Sequence, residues 1–285
     1  MNQPSIYVFK KFEIQEITAV DRVPKPRFSH SIIVYNGRVY SWGGRNIFID
    51  ENDPELSNDQ AWLLSKPRFK ELWEFNLSTR TWTKCDTSGE VPDQLSWHSA
   101  IMHPLESGVM LIFGGEGAQG TLSNNVTSCH LETRTFTKVT VDGGVNDEEM
   151  PRPLLGQAVI SDKEGRMFIV GGVDEHGNLF MDVHMLDLKQ DPPKWNCLYR
   201  SSGDVNEPEP RVDYQMALWK DQIFVLGGSI PEIPFGPRTC GLKELLTFNI
   251  SDRSWSITGT KADPRAPAHL VSLNGFLKSF QNICF

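Results

Sequence analysis

RVYSWGG (residues 38–44) recurs in this chain as VMLIFGG (109–115), RMFIVGG (166–172) and QIFVLGG (222–228). Each copy is a short apolar run of the kind that forms a β-strand. Each run ends in two glycines, and glycine adopts a positive φ without the steric penalty that a Cβ imposes. The pairs therefore mark one structural position in four repeats. They are Gly43, Gly44, Gly114, Gly115, Gly171, Gly172, Gly227 and Gly228.

Two further apolar runs and an aromatic residue accompany every glycine pair. The upstream runs are HSIIVYNG (30–37), HSAIMHP (98–104), GQAVISD (156–162) and YQMALWKD (214–221). The downstream runs are LWEFNLSTRTW (72–82), VTSCHLETRTF (126–136), VHMLDLKQDPPKW (183–195) and LLTFNISDRSW (245–255). Each unit thus supplies four short strands, A to D, at intervals of roughly 50 to 70 residues. Such sheets bury their faces by stacking radially, with the aromatic that begins strand D wedged between neighbours.

The apolar run that ends in Gly-Gly and is followed by an aromatic resembles the kelch repeat. Four copies cover residues of about 27–85, 97–139, 152–198 and 211–258, with Phe136 where tryptophan is usual. The resemblance implies an all-β fold, a kelch-type β-propeller with four complete four-stranded blades.

The two ends of the chain carry strand-like runs that no complete repeat uses. Residues 265–280 are predicted to form strands A and B of a further unit, and residues 5–17 are predicted to form strands C and D. The ends then complete a fifth blade by end-to-end closure, or the chain is a shortened form with an open ring. Both alternatives stay open here, and we expect one domain over 1–285.

Composition and motifs exclude several functional classes. The net charge of −8 and the absence of a basic run argue against nucleic-acid binding, and no apolar stretch approaches a membrane span. No CxxC pair, HExxH or GxSxG motif occurs, so we expect no metal, no cofactor and no catalytic residues. The five widely spaced cysteines fit a reducing compartment, so we expect the cytoplasm, with the nucleus as a second location.

Arginines that precede strand A are the first candidates for partner binding. Arg27, Arg211 and Arg265 occupy equivalent positions, and Arg152 lies close to the same place. The D–A connections and B–C loops share one face, so these side chains would surround a central mouth and bind a carboxylate-bearing peptide. The alternative is structural: each guanidinium bonds loop carbonyls or pairs with an Asp or Glu of the propeller.

Other residues on the same face complete the set of candidates. They are Trp97, Asp213, Tyr214, Arg45 and Trp62. The last two belong to residues 45–70, a long insertion between strands B and C of the first repeat. Its Trp62 and Phe48 either contact a partner or pack back on the propeller.

The segment Pro26-Arg27-Phe28-Ser29-His30 is similar to that of kelch-domain substrate receptors of cullin-RING ubiquitin ligases. Some of these read the free C-terminus of a target with arginines and aromatics. The resemblance implies a protein or peptide partner that is acidic or bound by its C-terminus, together with an Elongin or cullin adaptor, although no adaptor box is visible. The alternatives are a cytoskeletal or signalling scaffold and a kelch-propeller enzyme.

Overall fold

The computed structural model describes residues 23–49, 53–54, 56, 59–93, 96–204, 206–232, 236–239 and 244–259. Within these residues the chain forms four sheets, one from each repeat, and every sheet has its strands in the order A, B, C, D. The predicted all-β propeller with four complete blades is therefore confirmed. The predicted strands over 5–17 and 265–280 lie outside the described residues, so the fifth blade and the single domain over 1–285 stay predictions.

The strands of each blade follow the chain. Blade 1 contains β1 (Ser31–Tyr35), β2 (Arg38–Trp42), helix α1 (Gln60–Ser65), β3 (Leu72–Asn76) and β4 (Thr81–Cys85). Blade 2 contains β5 (Ser88–Gly89), β6 (Ser99–Met102), β7 (Val109–Phe113), β8 (Val126–His130) and β9 (Thr135–Lys138), and a 3-10 turn (Val145–Asp147) follows it. Blade 3 contains β10 (Ala158–Ser161), β11 (Arg166–Val173), β12 (Leu179–Asp187) and β13 (Lys194–Tyr199). Blade 4 contains β14 (Val212–Trp219), β15 (Gln222–Glu232), β16 (Gly236–Thr239), β17 (Glu244–Asn249) and β18 (Ser254–Gly259).

The A strands form the inner ring of the propeller. β1 contacts β6, β6 contacts β10, and β10 contacts β14, while the D strands lie at the outer side of each sheet, where β5 adds a further strand in blade 2. Three apolar layers fill the spaces between successive blades. No helix within the described ranges has the length and apolar character that crossing a membrane requires.

The aromatic that begins strand D is wedged between blades as predicted in three of four cases. Phe136 lies 4.7 Å from the ring of Trp42, and Trp195 lies 5.7 Å from that of Phe113. Trp255 packs on the layer between blades 3 and 4. The fourth residue, Trp82, contacts Phe75 of its own blade at 5.0 Å.

The glycine pairs form a bulge in strand B. All eight glycines have positive φ, between 56° and 121°. The sequence predicts that each pair ends its strand, but pairing with strand A resumes one residue later, as between Ser96 and Glu116. A Cβ on Gly115 would lie 2.7 Å from the carbonyl oxygen of Ser96 and 2.8 Å from Cβ of His98. The second glycine is thus required because strand A passes directly against it.

Gly115→Ala should therefore destabilise the protein far more than the unfavourable positive φ of an alanine would by itself. We expect a loss of about 3 kcal/mol or more in the free energy of unfolding, because the clash adds to the cost of about 1 kcal/mol for a non-glycine residue at positive φ. Gly177→Ala is the matched control, since Gly177 has φ of 82° with nothing within 4 Å of an added Cβ. Chemical denaturation measures both, and equal losses would contradict the bulge contact.

Candidate interaction face

The mouth of the propeller is a ring of strained backbone at the starts of the A strands. Ser29, Trp97, Gly156 and Asp213 occupy equivalent positions, and all have φ between 55° and 68°. The amide of Trp97 donates to the carbonyl oxygen of Ser29 at 3.0 Å, and the amide of Gly156 donates to that of Trp97 at 3.0 Å. The candidates Trp97 and Asp213 are both half-buried in this ring.

Arg27 is bound within blade 1 and is not open to solvent. Its Nε donates to the carbonyl oxygen of Lys25 at 3.0 Å, and its two terminal nitrogens reach the carbonyl oxygen of Gly43 at 3.2 Å and Oε1 of Glu71 at 2.6 Å. Its side chain is 4% exposed. Burial lowers the pKa of Arg27, while the nearby Glu71 carboxylate opposes that shift.

Arg211 repeats this arrangement in blade 4. Its Nε donates to the carbonyl oxygen of Glu209 at 3.1 Å, and its terminal nitrogens reach the carbonyl oxygen of Gly227 at 3.5 Å and Oε2 of Glu244 at 3.3 Å. The side chain is 1% exposed. The structural alternative thus describes both arginines, because the glycine bulge and an acidic residue of strand C already occupy each guanidinium.

Arg152 is the exposed member of the set. Leu154, 2% exposed, takes the place equivalent to Arg27, so Arg152 approaches from two residues earlier. Its guanidinium lies 3.9 Å from the ring centroid of Phe180 and 3.4 Å from Oδ2 of Asp182. Its side chain is 36% exposed, which leaves part of the guanidinium available to a ligand. Arg265, the fourth candidate arginine, lies outside the described residues.

Replacement of these arginines by alanine distinguishes a role in folding from a role in partner binding. Arg27→Ala should lower the free energy of unfolding by about 2–3 kcal/mol, because the carbonyl oxygens of Lys25 and Gly43 lose their charged donor while Glu71 keeps Lys84 as a partner. Arg152→Ala is the matched control and should cost no more than about 1 kcal/mol, because its ion pair is long, its guanidinium is partly exposed and Ser201 still donates to Asp182. Denaturant unfolding measures both values. A wild-type stability for Arg27→Ala would exclude the structural role.

A carboxylate between two guanidinium groups joins blades 1 and 2 on this face. Oε2 of Glu116 lies 3.4 Å from NH1 of Arg45, and Oε1 lies 2.6 Å from NH2 of Arg68. Arg45, a candidate for partner binding, is 24% exposed here, so it combines this contact with access to solvent. Sequence reasoning missed Arg68, although the Pro67-Arg68 pair repeats the dipeptide that precedes strand A.

Trp62 packs back on the propeller, which is one of the two alternatives given for the insertion. It is 5% exposed and stacks on Phe69 with ring centroids 4.9 Å apart. Asp59 caps α1 by accepting from the amide of Trp62 at 3.1 Å, and Lys84 of β4 donates to the same carboxylate at 2.9 Å. The tryptophan therefore contributes to folding the insertion and is not a free anchor.

Tyr214 ties blade 4 to blade 3. It is 1% exposed, and its hydroxyl donates to the carbonyl oxygen of Val170 at 2.7 Å. Gln157 does the same one blade earlier, donating through Nε2 to the carbonyl oxygen of Phe113 at 2.8 Å. Tyr214 is thus a contact between blades, and burial removes it from the surface that a partner would touch.

An apolar tip in blade 1, formed by Phe28, Ile47 and Phe48, is an exposed hydrophobic feature of the face. The three residues are 40%, 54% and 85% exposed. Asn46 fixes the tip: its Oδ1 accepts from the amide of Phe48 at 2.9 Å, and its Nδ2 donates to the carbonyl oxygen of Pro26 at 2.8 Å. The sequence pointed to Phe48 as a contact residue but not to Phe28 or Ile47. Successive side chains of an extended segment point to opposite sides, so Phe28, next to the inward-facing Arg27, could have been predicted to face solvent.

Among the described residues, no group of three His, Cys, Asp or Glu side chains is arranged to hold a metal ion. Burial lowers the pKa of His30 and His184 to about 4, which favours their neutral form at neutral pH.

Known proteins resemble the chain along most of its length. The chain is 27% identical over 243 residues to Kelch domain-containing protein 10 of Xenopus laevis, an alignment that covers 84% of this chain and 53% of that protein. It is 25% identical to Acyl-CoA-binding domain-containing protein 4 of Arabidopsis thaliana, covering 87% of this chain and 31% of that one. The chain therefore spans from about a third to about half of the curated relatives that it matches.

The solved structure of YjhT superposes with a TM-score of 0.60 over 82% of this chain and 71% of that one, at 15% identity, which supports the fold alone. Residues 61–273 match the family described as the KLHDC2/KLHL20/DRC7 Kelch-repeats domain. This propeller fold is consistent with a role in protein interaction. Because the match spans most of the chain and the four blades agree with it, the chain belongs to this family of kelch-repeat proteins.

Proposed function

We propose that the chain is a non-catalytic protein-interaction platform whose D–A connections and B–C loops bind a protein or peptide partner. The apolar tip carries the proposal. Phe48 is 85% exposed although Asn46 holds its backbone in place, and a rigid exposed aromatic is the kind of side chain that anchors an interface. The half-exposed guanidinium of Arg152 adds a cation that suits an acidic residue or a C-terminal carboxylate.

The finer proposal is that the platform selects substrates for a cullin-RING ubiquitin ligase in the cytoplasm, and also in the nucleus. Its support is the similarity of residues 26–30 to such receptors. An Elongin or cullin adaptor would then bind elsewhere in the full-length protein or on a second surface. The competing candidate is a cytoskeletal or signalling scaffold that uses the same face without a ligase. Neither role requires nucleic acid, a membrane or a cofactor.

Phe48→Ala tests the platform directly. Because the ring is mostly in solvent, its removal should leave the melting temperature unchanged and lower the recovery of the partner by about tenfold or more, as loss of an interface anchor does. Affinity purification from cells followed by quantitative mass spectrometry measures the recovery.

Trp219→Ala is the matched control for that experiment. Trp219 is also an exposed aromatic, at 61%, but it lies at the opposite end of strand A in blade 4. Its loss should leave the partner bound. Cullin subunits among the recovered proteins would favour the ligase, and partners without them would favour the scaffold. Equal recovery from wild type and Phe48→Ala would contradict the binding face.

A further inference from the structure

Blade 1 contains a three-layer contact that the chain makes with itself. The guanidinium of Arg27 lies 4.0 Å from the ring centroid of Phe69, and the same ring stacks on Trp62 at 4.9 Å. Phe69 is 2% exposed as a result. The cation and the two rings are thus closed off by the insertion, with Asp59 pairing to Lys84 beside them.

Blade 3 contains the first two layers of this contact without the third. Phe180 lies two residues before Asp182, as Phe69 lies two residues before Glu71. The guanidinium of Arg152 lies 3.9 Å from the ring of Phe180, yet among the described residues no aromatic ring packs on Phe180. Phe180 is half-buried and Arg152 is 36% exposed, so this cation–aromatic pair is open where that of blade 1 is covered.

A groove of about 700 Å³ opens beside Arg152, the cation of this pair, between blades 2 and 3. Its walls include Asn124, Met150, Pro151, Arg152, Cys197 and Arg200, with Asp147, Glu148 and Glu149 at its acidic side.

Cys197 occupies the strand position that Lys84 holds in blade 1, and the exposed Arg200 lies beside its thiol, where it opposes the pKa increase caused by burial. Arg200 therefore supplies a cation close to the place where Lys84 meets Asp59.

Arg200 is not paired with an acidic side chain of the groove. Oε2 of Glu149 accepts from the amide of Cys197 at 2.6 Å, and Arg200 donates to the backbone carbonyl oxygen of Glu148, also at 2.6 Å, so among the described residues these two side chains form no ion pair with each other. A guanidinium carries five N–H donors, so Arg200 keeps donors for a ligand carboxylate.

We propose that this groove binds a short segment of a partner protein in which an acidic residue precedes an aromatic residue by three positions. The aromatic ring stacks on the Phe180–Arg152 pair, and the carboxylate pairs with Arg200, as Trp62 and Asp59 do with their own partners in blade 1. The inference rests on the proposed function, since it names the segment that the face recognises. The chain's own α1 is the pattern for that segment.

A peptide of residues 59–67 (DQAWLLSKP), acetylated and fluorescently labelled, is the probe. It should bind the full chain saturably, because blade 1 is already filled by the insertion and blade 3 is not. Fluorescence anisotropy should show affinity reduced at least tenfold by Arg152→Ala in the protein and by Trp62→Ala in the peptide. Asp59→Asn in the peptide should reduce it several-fold.

Arg166→Ala is the matched protein control. Arg166 also lies over a phenylalanine and pairs with an aspartate, is 31% exposed, and sits at the other end of the blade. The Arg166→Ala protein should bind the peptide with wild-type affinity. If Arg152→Ala fails to melt cooperatively, Arg200→Gln takes its place. No binding by wild type, or equal binding by Arg152→Ala and Arg166→Ala, would overturn the proposal.

The Phe48→Ala chain keeps the two proposals apart. It should bind the peptide with wild-type affinity, because Phe48 is in blade 1. Loss of peptide binding in every chain, with partner recovery still dependent on Phe48, would refute the groove and leave the platform standing. Peptide binding that depends on Arg152, together with partner recovery that does not depend on Phe48, would support the groove and refute the platform anchored by Phe48.

Discussion

The close approach of strand A to the glycine pair in strand B is the constraint on which the propeller depends. A Cβ at Gly228 would lie 2.7 Å from the carbonyl oxygen of Val212, and one at Gly171 would lie 2.7 Å from the hydroxyl of Tyr214 in the next blade. The second glycine thus admits strand A of its own blade, and the first admits a side chain of the neighbour. One dipeptide therefore fixes both the fold of a blade and its distance from the next.

The same bulge explains why conspicuous arginines on the functional face are structural. It turns the carbonyl oxygens of Gly43 and Gly227 out of the regular ladder, and Arg27 and Arg211 bind them. A guanidinium held by two carbonyl oxygens and a carboxylate has few donors left. The surface available to a partner is consequently made of other residues, above all the apolar tip and Arg152.

The fold was predictable because its signal is local and repeated. Four glycine pairs in phase, each followed by an aromatic, specify strand order and the packing of Phe136, Trp195 and Trp255 without any knowledge of distant contacts. The roles of single side chains were less predictable. The sequence left Trp62 open between a partner contact and packing on the propeller, because its contact with Phe69 depends on how the insertion folds back.

One signal for the arginines was present in the sequence and went unused. An acidic residue stands opposite the first glycine on strand C in three repeats, as Glu71, Asp182 and Glu244, and these are the repeats that carry Arg27, Arg152 and Arg211. Correlation of the two positions would have predicted the ion pairs. The exposure of Phe48 was not predictable in this way, because it depends on the side-chain contacts of Asn46.

Hydrogen–deuterium exchange of the chain, with and without a purified partner, tests most directly that the D–A and B–C loops form the binding face. Slower exchange is expected in residues 45–48 and 148–152, where backbone amides lie in loops of that face. Exchange in the A–B hairpins at 162–165 and 219–222 should be unchanged. Protection confined to those hairpins would show that the partner binds the opposite end of the propeller.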